Sequence, residues 1–269
     1  MSLITIGIPV VKSHFIKSAL EGALGQTYKN IEVIVINDAP KEADRADIRK
    51  IVEAFDDDRL KYLENDKPLG AIKNWNKTLE HASGEFFSLL CDDDKWAPTY
   101  LQEMMSLAQK YPQTDIFHCR VVYINEHDAI TDLAPLSPEK QDYLDFIYHR
   151  IRGWTRFTLS DFTLRTAALR KIGGFQDMLD AWGSDDITWF RLAVNGGVAY
   201  STKPLYFYRI NSFNISNSKG IKNKYRSIAV YVDHVKRLMS AQSVDDNEMN
   251  LFRQKLILAN LDNYKKKHV

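Results

Sequence analysis

The chain has 269 residues, of which 45% are apolar and 26% charged, with a net charge of +1. That length holds one large domain or two small ones with a sizeable core, and the composition is that of a soluble globular protein, not of a disordered chain. Two cysteines, Cys91 and Cys119, are too few for a disulfide framework and lie in apolar runs, which points to buried thiols in a reducing compartment; no signal peptide is read at the start, and no apolar run approaches the ~20 residues of a membrane span.

The first run, Ile4 to Val10 (ITIGIPV), is β-rich and reaches a stop at Pro9. Ser13 can cap a helix that carries Phe15, Ile16, Ala19, Leu20 and Leu24. A turn at residues 26–30 leads to Ile31–Ile36 (IEVIVI), a strand too apolar to face water on either side, which ends at Asn37 and Asp38. Residues 41–55 read as a charged amphipathic helix with Ile48, Ile51, Val52 and Phe55 on one stripe, and Leu60–Glu64 as a short strand. After Gly70 comes a helix with Ile72, Trp75, Leu79 and Ala82 at helical spacing.

The next apolar run, Phe86 to Cys91, has the length of a buried strand and ends in three carboxylates, Asp92, Asp93 and Asp94. Adjacent anions repel unless a cation compensates them. Hard oxygen ligands at a strand's carboxyl end suit Mg²⁺ or Mn²⁺ carrying a phosphate-bearing substrate. The alternative is a solvated acidic turn before a helix that starts near Pro98. Asp56-Asp57-Asp58 is also a triple acid, but it follows a charged helix and reads as a surface turn. Four strands separated by crossovers of ten or more residues demand a mostly parallel sheet covered by helices, with Asp38 and Asp93 on one edge. No glycine-rich dinucleotide fingerprint and no phosphate-cradling G-x-x-x-x-G-K-[ST] loop occurs, so a nucleotide here is held by metal and side chains.

Beyond Trp96 the pattern predicts a helix over 98–110, an alternating strand over Ile116–Ile124, a loop-rich section through Pro135 and Pro138, and a helix over Tyr143–Arg150. A strand over Ser160–Leu164 and a helix over Thr166–Ile172 follow. Trp182-Gly183-Ser184-Asp185-Asp186 leads into a helix over Ile187–Val194; its N-terminus favours the two anions, and Ser184 or Asp185 can equally be a plain N-cap. Val198–Tyr200 and Leu205–Tyr208 read as two short strands. The tail holds two amphipathic helices, one with Tyr225, Ile228, Val232, Val235 and Met239 on a stripe, the other with Asp245 and Glu248 in a capping-box spacing. Residues 218–269 carry eleven Lys and Arg against five Asp and Glu, a balance of +6, while the rest of the chain stands at −5. A basic tail fits an anionic membrane surface or a merely solvated helix face, and the apolar stripe fits core or a homodimer contact better than membrane insertion.

These pieces together resemble the family 2 glycosyltransferases of the GT-A fold. The motifs are ITIGIPV; A-L-x-x-A-L-x-Q-T-Y-x-N-I-E-V-I-V-I-N-D from Ala19 to Asp38; G-A-I-K-N-W-N-K-T-L-E-H-A-S-G-E-F from Gly70; L-R-K-I-G-G-F from Leu169; and D-D-I-T-W-F-R-L-A from Asp185. They cover about residues 4–210, and each alone is weak. Val10, Val11 and Lys12 replace the family's Thr-Tyr-Asn. Cys91 stands where many members carry the first Asp of D-x-D. Ser184 replaces the Glu of the E-D pair, and Asn211 a metal-binding His.

The resemblance implies an α/β fold of GT-A type: a Rossmann-like, mostly parallel sheet flanked by helices, with a C-terminal helical tail. It divides the chain into a nucleotide-sugar-binding half over 1–97, an acceptor-binding half over 98–217, and the basic tail over 218–269. It implies an inverting, metal-dependent transfer of a sugar from a nucleoside diphosphate donor, UDP above all, to a glycan or lipid-linked glycan in surface polysaccharide synthesis. No nucleic acid is expected as partner, and the setting is cytoplasmic, with peripheral contact at the inner membrane face through the tail. Mn²⁺ or Mg²⁺ falls to Asp93, Asp94 and Asn211. The nucleotide falls to Pro9, Val10, Asp38, Lys73, Asp92 and Asp93. Asp185 is the general base and Asp186 the fallback, since spacing cannot choose between neighbours. A nucleotidyltransferase and a non-catalytic sugar-nucleotide binder are the competing readings.

Overall fold

The computed structural model describes residues 1–211, 221–241 and 247–268. Within them one mixed sheet runs through the molecule. Its first half is parallel: β1 (Ile4–Val10) lies between β2 (Ile31–Asn37) and β4 (Phe86–Leu89), and β3 (Leu60–Glu64) borders β2. All seven residues of β1 and all seven of β2 are buried, in keeping with their richness in Ile and Val and with a parallel sheet covered on both faces. The crossovers are α1 (Ile16–Leu24), α2 (Glu42–Glu53) and α3 (Ala71–His81). Gly7 lets α3 rest directly on β1, because a Cβ there would lie 2.7 Å from Thr78 Oγ1.

The second half joins through β9 (Phe162–Arg165), which runs antiparallel to both β4 and β6 (Ile116–Ile124). Parallel to β6 lies β10 (Val198–Arg209), and the two-residue β5 (Lys95–Trp96) pairs with its outer edge. Two further short strands, β7 (Ile130–Leu133) and β8 (Lys140–Gln141), pair with β6 and β10. The helices here are α4 (Tyr100–Lys110), α5 (Tyr143–Arg152), α6 (Thr166–Lys171) and α7 (Ser184–Ala193), then α8 (Ile221–Ala241) and α9 (Glu248–His268). Helices cover both faces. Phe86 and Leu90 enter one core with α1, α2 and α4, whereas Phe87 and Leu89 enter the other with α3 and α5 to α9. Each such large apolar side chain contributes about 1.5–3 kcal/mol by leaving water.

Three expectations change. Ser13 does not cap α1: the helix starts at Ile16 after Phe15, with no side-chain cap, and the Phe15 ring lies 4.3 Å beneath the Arg209 guanidinium instead. Val198–Tyr200 and Leu205–Tyr208 are one strand, β10; its register with β6 shifts between Ser201 and Tyr206, and that irregularity admits Pro204. Neither Ser184 nor Asp185 caps α7. The cap is Gly183 at φ 73°, so both aspartates belong to the first turn. In the tail, Ile228, Val232, Val235 and Met239 are buried in the core, while Tyr225 is exposed. The stripe is therefore core packing. Asp245 lies outside the described residues.

Candidate active site

The carboxyl ends of β1, β2 and β4, the end of β10 and the start of α7 surround one cavity of about 600 Å³. Asp38, Asp92, Asp93, Asp94, Asp185, Asp186, Asn211 and Pro9 all border it. Two expected nucleotide contacts do not. Val10 is fully buried in β1, and Lys73 is exposed on α3 outside the lining. Lys12, three residues after Pro9, borders the cavity in their stead.

Asp38 is fixed rather than loose. Its carboxylate accepts from Asn65 Nδ2 (2.7 Å), Leu69 N (2.7 Å) and Gly70 N (2.9 Å), and its own N–H donates to Val10 O (2.8 Å). It thereby holds the loop before α3 against the β2 end. Asn74 donates to Ile36 O and accepts from Asn65, locking the same corner.

The acidic triad divides its work. Asp92 accepts from the backbone N–H groups of Val11 (2.9 Å) and Lys12 (3.2 Å), tying β4 to β1. Asp94, 2% exposed, accepts from Tyr206 Oη (2.6 Å) and Arg209 N (2.9 Å), tying β4 to β10. Asp93 accepts from Asn211 Nδ2 (2.9 Å). Burial, then the Asp93 charge, pushes the Asp92 carboxyl up to about 7, against the pull of the two backbone donors. Burial also drives Asp93 upward, opposed by the Asn211 amide, and Asp94 well upward, reinforced by the Asp93 charge. Three carboxyls held above their ordinary range by desolvation, with the Asp93 charge adding to it at Asp92 and Asp94, are what a divalent cation would relieve.

The residues fit such an ion. One ligand atom each from Cys91, Asp93 and Asp94 lies within 4.8 Å of the others. The oxygens suit Mn²⁺ or Mg²⁺; the thiol, which burial pushes well upward, is a softer donor. Arg209, to which the sequence assigned no role, is buried behind the triad. It donates to Asp93 O (2.8 Å) and Asn125 O (3.0 Å) and pairs with Asp128 (2.6 Å).

Across the cavity the two α7 aspartates differ sharply. Asp186, 3% exposed, is gripped by Arg150, whose Nε reaches both carboxylate oxygens (3.1 and 2.9 Å) and whose Nη2 lies 2.9 Å from one of them. Tyr231 Oη adds a further bond at 3.2 Å. Asp185 has no side-chain donor among the described residues and faces the cavity. Burial, then the Asp186 charge, pushes its carboxyl up to about 7, with Arg150 pulling the other way. Ser184 is turned inward, donating to Gln176 O (2.5 Å), and Trp189 anchors α7 through Thr158 O (3.3 Å).

Other polar and aromatic residues fall outside the cavity. His118 is a core residue beside Asp161, Trp154 is 51% exposed, Arg156 pairs with Asp132, and Asp57 pairs with Arg59 on the surface.

The profile of glycosyl transferase family 2 matches residues 5–173. An uncharacterized glycosyltransferase of Rickettsia typhi is 25% identical over 224 residues, 80% of this chain and 66% of that protein, so the chain spans just under two thirds of this relative's length. The Escherichia coli WfgD protein, named a UDP-Glc:alpha-D-GlcNAc-diphosphoundecaprenol beta-1,3-glucosyltransferase, is 34% identical over 109 residues, 40% of this chain and 42% of its own. Among solved structures, TarS of S. aureus in complex with UDP-GlcNAc superimposes with a TM-score of 0.73 at 17% identity, covering 97% of this chain and 72% of that one. The mannosyltransferase PcManGT of Pyrobaculum calidifontis, in complex with GDP-Man and Mn²⁺, gives 0.65 at 16%, covering 98% and 74%. At such identities the likeness is one of fold, and both are sugar-nucleotide-binding proteins of GT-A architecture. Among the described residues, no helix is long and apolar enough to cross a membrane.

Proposed function

The chain belongs to glycosyl transferase family 2, and from that premise we propose that it transfers a sugar from a UDP-sugar to a hydroxyl of a glycan or lipid-linked glycan, with inversion at the anomeric carbon. The observation that carries this reading is the opposition, across one cavity, of the strand-end carboxylates and the Asp185 carboxyl. The nucleoside lies along the carboxyl ends of β1 and β2, beside Pro9 and the corner that Asp38 fixes. The diphosphate reaches the triad, with Lys12 as a neighbouring cation. Asp93 and Asp94, with Asn211, would hold Mn²⁺ or Mg²⁺, which when bound would neutralise charge on the leaving diphosphate.

Asp185 is the base. A carboxyl pushed up to about 7 is matched to accepting a proton near neutral pH. The acceptor oxygen attacks the anomeric carbon, its proton passes to Asp185, and the bond from that carbon to the diphosphate oxygen breaks, releasing UDP. Asp186 is occupied by Arg150 and Tyr231; its role in this reading is to shape the α7 turn.

Calorimetry tests the donor side. UDP is expected to bind at least about tenfold more tightly with Mn²⁺ than with chelator, and Asp93→Ala to remove the difference. Equal affinity in the wild type with and without metal would overturn the metal assignment.

A further inference from the structure

The cavity wall beside Asp185 is built in part by helices that the family profile does not reach. Ser227 of α8 and Tyr264 of α9 border the cavity together with Trp182, which precedes α7. This contact is not incidental. Tyr231 of α8 is 1% exposed, its hydroxyl bonds Asp186, and its ring lies 5.5 Å from the Tyr264 ring at 24° and 5.6 Å from Trp182 at 68°. Gly183 makes the approach possible: a Cβ there would sit 2.8 Å from the Tyr231 ring. Ser227 Oγ donates to Leu179 O at 3.0 Å, pinning α8 to the same loop. That loop carries two more left-handed residues, Asp180 (φ 58°) and Ala181 (φ 59°), a strained path that holds only where packing over-determines it.

We propose that α8 and α9 are acceptor-recognition elements, and that Trp182 and Tyr264 form an aromatic platform for a pyranose ring of the acceptor next to Asp185. The inference rests on the glycosyltransferase reading above and deepens it. A base must lie within hydrogen-bond reach of the hydroxyl it deprotonates, so the sugar bearing that hydroxyl must border Asp185. Of the rings near that position, Phe157 is only 2% exposed, with the Arg150 guanidinium 4.3 Å from its ring centre. Trp182 and Tyr264 are half-buried and line the cavity. A pyranose offers an apolar C–H face and a polar rim, and Trp and Tyr offer the matching apolar body and polar edge. The donor side of the cavity carries the strand-end carboxylates suited to a metal-bound diphosphate, whereas this side adds the two rings to the Asp185 carboxyl.

The test uses the full chain loaded with UDP and Mg²⁺ and titrated with methyl pyranosides of glucose, galactose, mannose and N-acetylglucosamine, read by saturation-transfer NMR. At least one pyranoside is expected to bind with transfer strongest at its ring C–H protons. Trp182→Ala and Tyr264→Ala are expected to weaken that binding about tenfold, and Tyr264→Phe to stay within about twofold, because the ring and not the hydroxyl is the platform. UDP affinity, measured on the same samples, should match the wild type in all three variants and shows that each is folded. No pyranoside binding to the wild type, or alanine variants that bind as tightly as the wild type, would overturn the platform. Failure of the wild type to bind UDP would overturn the donor reading itself, a separate result.

Discussion

At the residue scale the site turns on two neighbours with opposite surroundings. Asp185 and Asp186 are both anions in the first turn of α7, and their spacing alone could not say which one acts. Arg150, on α5, distinguishes them by engaging both oxygens of Asp186, which is the ground on which Asp185 is proposed as the base. Asp185→Asn is therefore expected to lower transfer by about 10² or more while UDP affinity holds. Asp186→Asn leaves the Arg150 guanidinium unpaired in a largely buried place, and is expected to cost roughly 2–4 kcal/mol of stability, seen as a lower melting temperature. If the Asp186 variant alone abolishes transfer while its melting temperature is unchanged, the assignment of the base is wrong. The pH dependence carries the same logic. The base must be deprotonated to act, so transfer should rise with pH through about 7 and lose that limb in Asp185→Asn. A rate flat between pH 5.5 and 8 would contradict it.

At the scale of elements, much of the first half was legible because buried parallel strands leave an unmistakable trace: Ile4–Val10 has the bounds its sequence suggests, β2 extends the expected run by one residue, and the half-buried edge strand Leu60–Glu64 also keeps its expected bounds. The insertion of β9 between β4 and β6 was not, since a strand's neighbours in a sheet are not written in its own residues. Nor was the role of Arg209, a lone cation at the end of an aromatic run. Strand ties of another kind set acid stability. Glu32 on β2 is buried, which alone would raise its carboxyl. Bonds from Thr5 Oγ1 (2.6 Å), Ser83 N and Oγ (2.7 Å each) and Lys61 Nζ (2.9 Å) outweigh that and bring it down to about 2. A depressed carboxyl stabilises the fold above its unfolded value and loses that contribution as pH falls toward the folded one. Glu32 should therefore contribute on the order of 2 kcal/mol at neutral pH, lost progressively between about pH 4.5 and 2. Chemical denaturation of Glu32→Gln at pH 7 and at pH 3 should show a smaller deficit at the lower pH; an equal deficit at both would mean that its charge is not what stabilises.

At the scale of the whole molecule, carboxylates from three regions far apart in sequence meet at one cavity, at residues 38, 92–94 and 185–186. The parallel-sheet pattern anticipated that Asp38 and Asp93 would share one edge, because such a sheet puts its strand ends together; a role for residues 185–186 beside them came only from the resemblance to the family. The tail was legible only as amphipathic helices. That its stripe would be buried beside α7, and that Tyr231 would reach Asp186, depends on a long-range packing that no local pattern encodes.

In the proposed reaction this cavity cleaves a sugar from a nucleoside diphosphate with a metal on the strand-end carboxylates. Many transferases slowly hydrolyse their own donor when acceptor is absent, so a screen of UDP- and GDP-sugars for release of nucleoside diphosphate is the most direct measurement. With Mn²⁺ the wild type should release the diphosphate from at least one donor, chelator should stop the release, and Asp93→Ala should reduce it by about 10² or more. Release that persists undiminished in chelator and in Asp93→Ala, or no release from any donor by a wild type that binds UDP, would contradict the account.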